Sequence, residues 1–151
     1  MKTRTATILI VTILASLLVG TFVINAFSIK ELKLKVKWKP VSYALSGPVP
    51  DPWQVELYFA PARPVEEVDP STLLLEGMYE PVSSYLHPNK PRLVACFDGY
   101  DVLNAILIKA GHLMPGRDYR VWLEISGFLH DGTPFSGEGG VILEVPEISP
   151  P

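Results

Sequence analysis

Three histidines are the side chains best suited to metal binding or proton transfer in this sequence. They are His87, His112 and His130, and each lies in a stretch whose composition is typical of a loop. None stands in a His-x-x-x-His arrangement or beside a second ligand type at metal-binding spacing. The pattern favours surface histidines, and we expect neither a metal site nor a cofactor.

Acidic residues in two loops could gather around calcium. FDGYD carries Asp98 and Asp101, and another loop carries Glu66, Glu67 and Asp69. Calcium takes about six to eight oxygen ligands, and the spacing of an EF-hand loop is absent from the sequence. We expect Asp98 and Asp101 to make turn and helix-capping hydrogen bonds instead.

Nucleophilic and nucleotide-dependent catalysis lack their usual sequence signatures. The chain has no Gly-x-Ser-x-Gly elbow, no Gly-x-x-x-x-Gly-Lys loop and no HExxH. Cys96 stands among apolar residues in a strand-like run, which is typical of a buried thiol, and a lone cysteine excludes an internal disulfide. We expect a protein that is not an enzyme.

Two aromatic residues are candidates for an interaction surface. Tyr58, in the alternating run 53 to 60, and Trp122, in the alternating run 119 to 126, both stand opposite the apolar face of their strand. If the two strands are neighbours, the pair forms an exposed platform for a sugar ring or a protein partner. Alternatively, each stabilises the sheet through a cross-strand contact.

A row of lysines marks the first expected strand. In ELKLKVKWK, apolar residues alternate with Lys33, Lys35, Lys37 and Lys39. The alternation predicts a half-buried strand with its lysines in water, where they also discourage edge-to-edge pairing. In a chain anchored to a membrane the same lysines form a membrane-proximal basic face, each attracting anionic headgroups by ~1 kcal/mol.

An apolar leader precedes that strand. Residues 7 to 27 carry no charge and follow a segment containing Lys2 and Arg4. A run of ~20 residues is long enough to cross a bilayer as a helix, while the small residues Ala26 and Ser28 fit cleavage after Ser28. We expect residues 1 to 28 to be a signal peptide or signal anchor and residues 29 to 151 to form one domain.

Charge gives conflicting indications of orientation. Five lysines at 30 to 39 follow the apolar run and two basic residues precede it, which favours a cytoplasmic body. The order of basic, apolar and small residues indicates export, so we expect an extracytoplasmic body at the cell membrane, or a secreted one. The net charge of −3 gives no reason to expect a nucleic-acid partner.

Short strands separated by proline and glycine account for the rest of the chain. Residues 61 to 91 look like long surface connections around one of these strands. Such spacing is typical of an all-β sandwich or barrel. The expected strands are 31–39, 53–60, 72–76, 92–97, 119–126 and 141–145.

One short helix is expected between the strands. DVLNAILIKAGHL has an apolar helical face, with Asp101 as a possible N-cap and Gly111 as a residue that can end the helix. The alternative is a strand over Ala105 to Ile108, because a short apolar run is ambiguous by periodicity.

The stretch from Gly127 to Gly137, GFLHDGTPFSG, suggests a hairpin in which Asp131 and Gly132 supply a tight turn and Phe135 folds back toward the core. This stretch resembles the final hairpin of immunoglobulin-like surface modules of prokaryotic secreted proteins, and VDPSTLLLEG and LVACFDGYD are similar to their middle strands. The resemblance covers residues 68 to 145.

What the resemblance implies is an immunoglobulin-like β-sandwich of about seven strands, displayed outside the cytoplasm, with no catalytic residues to carry over. The sequence departs from antibody-type domains in lacking their Cys–Trp–Cys pattern, because Cys96 has no partner.

Together these patterns predict a non-enzymatic extracytoplasmic immunoglobulin-like module with a structural or protein-interaction role at the cell surface. Its partners would be the membrane, through the N-terminal helix, and a protein or a second copy of the chain. A carbohydrate-binding module is an alternative that needs Tyr58 and Trp122 to be contiguous. A pilin-like filament subunit is another, although Arg4-Thr5-Ala6 matches a processing site poorly.

Asparagine and glutamine are scarce in this chain. They occur only as Asn25, Gln54, Asn89 and Asn104. With abundant loop proline, this depletion resembles proteins adapted to heat. We expect the purified domain to unfold above ~60 °C.

Overall fold

Residues 32 to 59 and 64 to 147 are described by the structure, a computed structural model. The expected leader, residues 1 to 28, lies outside the described residues, and with it the expected N-terminal helix. Within the described part of the chain, no helix is both long enough and apolar enough to cross a bilayer.

The described residues form eight strands and one helix. Helix α1 (Gly99–Ala110) follows the sixth strand, and two short 3-10 turns, Val65–Glu67 and Pro70–Thr72, precede the fourth. The all-β class is confirmed, with two strands more than the six located by the sequence pattern, where the resemblance implied about seven. The strands are β1 (Leu32–Lys39), β2 (Ser42–Ala44), β3 (Trp53–Phe59), β4 (Leu74–Leu75), β5 (Ser83–Leu86), β6 (Leu93–Phe97), β7 (Arg117–Phe128) and β8 (Pro134–Val145).

Alternation of apolar and polar residues located the longer strands but not their full extent. β7 and β8 are each longer than expected because their pairing continues to Phe128 and Pro134, next to the turn. The turn itself is as expected: Asp131 Oδ1 accepts from the backbone N–H of Thr133, and Gly132 has a φ of 81°. Phe135 is buried, also as expected.

Three of the shorter elements differ from expectation. β4 is confined to Leu74–Leu75, because Pro70–Thr72 forms a 3-10 turn where a strand was expected to begin. β2 and β5 were not expected, since both are too short to show alternation. β5 lies within residues 61 to 91, whose described part, from 64 onward, therefore contains two strands rather than one.

Helix α1 is confirmed and excludes the alternative strand. Its N-cap is Asp98 rather than Asp101, because the helix begins at Gly99; Asp98 Oδ1 accepts from the backbone N–H groups of Tyr100 at 2.8 Å and Asp101 at 3.4 Å. Gly111 follows the helix with a φ of 68°, as a glycine can without strain.

The strands form one curled mixed sheet in the order β4-β7-β8-β1-β3-β6-β5, and β2 also pairs with β8. β1 joins its two halves: Leu32 and Lys33 pair in parallel with β8, and from Leu34 onward the strand pairs antiparallel with β3. We call β1, β3, β6 and β5 the β1 half, and β8, β7, β4 and β2 the β8 half.

Both halves contribute to one hydrophobic core. Trp38, Trp53 and Phe97 of the β1 half and Phe135 and Leu143 of the β8 half are among its fully buried side chains. The rings of Phe59 and Phe135 meet edge to face across the halves, with centroids 5.6 Å apart. The two halves are therefore held together by apolar packing as well as by the strand they share.

Glycines on β8 allow β1 to pass close to it. A Cβ at Gly137 would lie 2.1 Å from the carbonyl oxygen of Leu34, and one at Gly139 would lie 2.7 Å from Val36 and 2.8 Å from Trp38. The Leu34 contact is with backbone, which cannot rotate away. Residues without a side chain are thus needed where β1 crosses β8.

Candidate interaction surfaces

β1 presents its four lysines on the side of the sheet away from the core. Lys33, Lys35, Lys37 and Lys39 are all exposed, whereas Leu34 and Trp38 between them are buried. The two-residue repeat of a strand places successive lysines about 7 Å apart. Their exposure is as expected, and their contact with a membrane stays a prediction.

Strand register places an acidic and an aromatic residue beside this row. Lys35 is paired with Tyr58 and Lys37 with Glu56 on β3. On the far side of β3, Glu56 is paired with Val94 of β6, and Arg92 lies just before that strand. The outer surface of the β1 half therefore combines cations from two separate parts of the sequence.

Glu56 links two of these cations. Lys39 Nζ donates to Glu56 Oε1, and Arg92 Nη1 donates to Glu56 Oε2 at 2.5 Å. The Glu56 side chain is 3% exposed because its partners cover it. The hydrogen bond from Lys39 lowers the pKa of Glu56 below its ordinary value of 4.5, with a further lowering by Arg92 against the opposing effect of desolvation. Glu56 is therefore ionised at neutral pH and holds both cations in place.

Tyr58 is engaged by cations of its own chain. Arg92 Cζ lies 5.2 Å from the centre of the Tyr58 ring and Lys35 Nζ lies 5.9 Å from it, within the range of cation–π attraction. Tyr58, Arg92, Lys90 and Glu66 also line a shallow cavity of about 560 Å³. We define the basic face as Lys35, Lys37, Lys39, Lys90 and Arg92.

Lys33 is set apart from the basic face. It lines a second cavity, of about 550 Å³, together with Glu124 and Glu138. The reason is the course of β1, which at Lys33 pairs with β8 and not with β3. The expected row of four lysines is thus divided, with one lysine beside acidic residues and three on the basic face.

Trp122 lies far along the strand order from Tyr58. It is 52% exposed on β7 and lies over Gly140, its cross-strand partner, with ring atoms 3.7 Å from where a Cβ would stand. β7 does not pair with β3, because β8 and β1 lie between them in the sheet. The condition for a shared aromatic platform, that the two strands be neighbours, is therefore not met.

The outer surface of the β8 half carries four carboxylates, with Arg120 exposed on the same side of β7 and Lys33 beside two of them. Asp118 of β7 is paired with Glu144 of β8, and Glu124 of β7 is paired with Glu138 of β8. Carboxylates directly opposite each other on neighbouring strands repel and lower stability. We define the acidic face as Asp118, Glu124, Glu138 and Glu144.

Side chains cover the edge of β7 beyond the two-residue strand β4. Lys109 Nζ of α1 donates to the carbonyl oxygen of Trp122 at 2.9 Å and pairs with Glu76 Oε1 at 2.8 Å. Glu76 Oε1 also accepts a hydrogen bond from the backbone N–H of Glu124 at 2.6 Å. In return, the backbone N–H of Glu76 donates to the carbonyl oxygen of Glu124 at 3.0 Å. Glu76 thus acts as a short continuation of the strand pairing.

The loop residues considered for metal binding have structural partners. Asp69 Oδ1 accepts from the hydroxyl of Ser71 at 2.6 Å and from its backbone N–H at 3.0 Å, which together lower the pKa of Asp69. Glu67 O accepts from the backbone N–H of His130, and His87 Nδ1 from that of Asn89. Among residues 32–59 and 64–147, no three potential ligands are grouped to hold a metal ion.

Sequence reasoning missed Glu56 and Arg92, the residues that organise the basic face. A partial signal existed, because Glu56 occupies a polar position of β3 and would face the lysines if β1 and β3 paired as neighbours. No sequence signal indicated the role of Arg92, because its position depends on the pairing of β6 with the other side of β3. Cys96 is buried and unpaired, as expected.

The chain matches no known protein family, no curated protein and no solved structure. The geometry of these two surfaces is therefore the basis for a functional proposal.

Proposed function

We propose that this protein is a non-enzymatic interaction module with an immunoglobulin-like β-sandwich fold, displayed outside the cytoplasm. Its apolar residues 7 to 27 either anchor it in the cell membrane or direct its secretion. Its role at the cell surface is structural or is the binding of a partner.

The order of the strands supports the immunoglobulin-like fold. In the constant-type domain one sheet has the order A-B-E-D and the other contains C, F and G. The β1 half has the corresponding order β1-β3-β6-β5, and the β8 half has β4-β7-β8. In this correspondence α1 is an insertion between strands E and F.

The observation that carries the interaction role is the separation of charge between the two outer surfaces. The basic face gathers five cations around Glu56, with Glu66 near two of them, and the acidic face sets four carboxylates against Arg120 and Lys33. Each face therefore has an excess of one sign, which a surface that served only solubility would not need. Separated charge produces a directional field that orients a protein toward a charged partner.

The two carboxyl groups with a shifted pKa, Glu56 and Asp69, have structural partners. A perturbed pKa in a cleft often marks a catalytic acid or base. Here the pKa of Glu56 is lowered chiefly by Lys39 and that of Asp69 by Ser71, and each carboxylate is held by the groups that shift it. Both are used to fix structure.

Fractionation of cells that produce the native chain tests this proposal. We expect the protein in the membrane pellet after alkaline carbonate extraction, and we expect protease added outside the cytoplasmic membrane to digest it. N-terminal sequencing distinguishes the anchored form from the secreted form. A chain that begins at Met1 is anchored, and a chain in the medium that begins near Ile29 is secreted. A start near Ala6 would favour the pilin-like alternative. Recovery of the intact chain from the cytosol alone would contradict the proposal.

A further inference from the structure

The basic face has more positive charge than its own carboxylates neutralise. Lys39 and Arg92 share the one negative charge of Glu56. Lys37 and Lys90 form no ion pair with any residue that the structure describes, and Lys35 contacts the ring of Tyr58. Lys37 on β1 and Lys90 in the turn before β6, which pair with none of the described carboxylates, are available to an anionic partner.

The face is also broad and includes aromatic side chains. Cations on β1 and at the start of β6 lie on either side of Tyr58, and Tyr85 of β5, paired with Val94, extends the same surface at 47% exposure. Tyrosines among lysines and arginines are typical of surfaces that meet lipid headgroups, because the ring tolerates both water and hydrocarbon. A single small anion would need no such breadth.

Chain connectivity limits how far this face can be from the apolar segment. The apolar run ends at residue 27, and β1 begins at Leu32. The five residue steps from Phe27 to Leu32 span at most roughly 18 Å when fully extended. A bilayer that held residues 7 to 27 would therefore keep the lysines of β1 within reach of its headgroups.

We infer that the basic face docks on anionic phospholipid headgroups of the bilayer that holds the apolar segment, with the acidic face turned away from it. This inference rests on the membrane-anchored form of the proposed function. Charge complementarity favours this occupant, because attraction to an anionic leaflet increases with each lysine or arginine near the surface. The repulsion of the acidic face from the same leaflet favours one orientation of the body.

Lysine acylation in nanodiscs tests the inference on the full chain. The protein is reconstituted in discs of phosphatidylcholine alone or of phosphatidylcholine mixed with phosphatidylglycerol. It is then exposed to a water-soluble amine-acylating reagent, and each lysine is quantified by mass spectrometry. We expect Lys35 and Lys37 to react several-fold more slowly in the anionic discs and Lys109 to react equally in both. High salt should abolish the difference, because it screens the attraction.

A charge-matched pair of variants separates docking from a general effect of charge. Lys35→Gln combined with Lys37→Gln should lower the ratio of docked to undocked protein about 30-fold, read as lost protection of Lys39 and Lys90. Arg117→Gln combined with Arg120→Gln removes the same charge from exposed positions of β7. That control should leave protection in the anionic discs unchanged.

Two results would overturn the inference while leaving the proposed function intact. One is equal acylation of Lys35 and Lys37 in both kinds of disc, although the chain still resists carbonate extraction. The other is protection of these lysines that increases with the number of chains per disc and does not depend on phosphatidylglycerol. That result would indicate that the basic face binds the acidic face of a second copy of the chain. Recovery of the intact chain from the cytosol alone in the fractionation experiment would instead count against the proposed function itself.

Discussion

The basic and acidic faces lie on the two halves of one sheet, yet their charges are organised in opposite ways. On the basic face Glu56 joins Lys39 and Arg92, so that unlike charges hold one another. On the acidic face the register sets Asp118 against Glu144. Both halves bury apolar side chains on their inner side, so the core does not dictate either arrangement. The like-charge pairing on the acidic face lowers stability, whereas the basic face pairs unlike charges.

The largest loss of stability is expected for a substitution where the β1 half and the β8 half join. Gly137→Ala would place a Cβ 2.1 Å from the backbone oxygen of Leu34 and force β1 away from β8. We expect a loss of about 3 kcal/mol or more in the free energy of unfolding, measured by denaturant titration. Gly140→Ala, three residues along, is the control, because its nearest atoms lie at an ordinary 3.7 Å. Equal stability of the two variants would show that β1 does not pass so close to β8.

The same substitution on the two faces should have effects of opposite sign. Glu56→Gln leaves Lys39 and Arg92 without their anion, and we expect a loss of about 1–2 kcal/mol at neutral pH. Glu144→Gln relieves the repulsion with Asp118, and we expect a gain of a few tenths of a kcal/mol. Chemical denaturation of both variants at low salt measures the difference. Equal changes in the free energy of unfolding for Glu56→Gln and Glu144→Gln would contradict an electrostatic difference between the two faces.

Acid should remove the contribution of Glu56. Because the pKa of Glu56 is lower in the folded chain than its ordinary value of 4.5, its ionised form stabilises the fold above that value. This stabilisation is lost as the pH falls from 4.5 through the folded pKa. We expect the stability gap between wild type and Glu56→Gln to close over that range in a pH series of unfolding curves. A gap that persists in stronger acid would show that packing, and not charge, accounts for it.

These residues also show what the sequence could predict. Alternation located β1, β3 and β7, a short apolar run located β6, and turn residues located Asp131 and Gly132, because these signals are local. The order of strands is not local: it places Arg92 beside Glu56, sends Lys33 toward Glu124, and keeps Tyr58 and Trp122 apart. Each of these depends on pairings between distant segments, so the exposed residues could be predicted and the surfaces they form could not.

A smaller effect is expected at the covered edge of the β8 half. Lys109→Met removes the ion pair with Glu76 and the hydrogen bond to Trp122 O, and should cost about 1 kcal/mol, measured by thermal or chemical unfolding. Lys90→Met on the basic face, which removes no ion pair with a described residue, should change stability by less than about 0.5 kcal/mol. A larger loss of stability for Lys90→Met than for Lys109→Met would contradict the structural role of Lys109.

Apart from the controls, the smallest loss of stability that we expect is at Trp122. Because this exposed ring covers Gly140 across the strands, Trp122→Ala should lower stability by about 0.5–1 kcal/mol. Tyr100→Ala, at an exposed position in the first turn of α1, is a control that should produce no loss. If Trp122→Ala were also neutral, the ring would have no structural role and would become a candidate contact for a partner.

The most direct measurement compares how close the two faces come to the bilayer. A fluorophore is attached at Tyr85→Cys on the β1 half or at Trp122→Cys on the β8 half, two exposed positions in a chain whose native Cys96 is buried. The full chain is reconstituted in nanodiscs that contain phosphatidylglycerol and a lipid with a nitroxide on its headgroup. The docked orientation predicts stronger quenching at position 85 than at position 122, with the difference lost at high salt. Equal quenching at both positions, or stronger quenching at position 122, would contradict it.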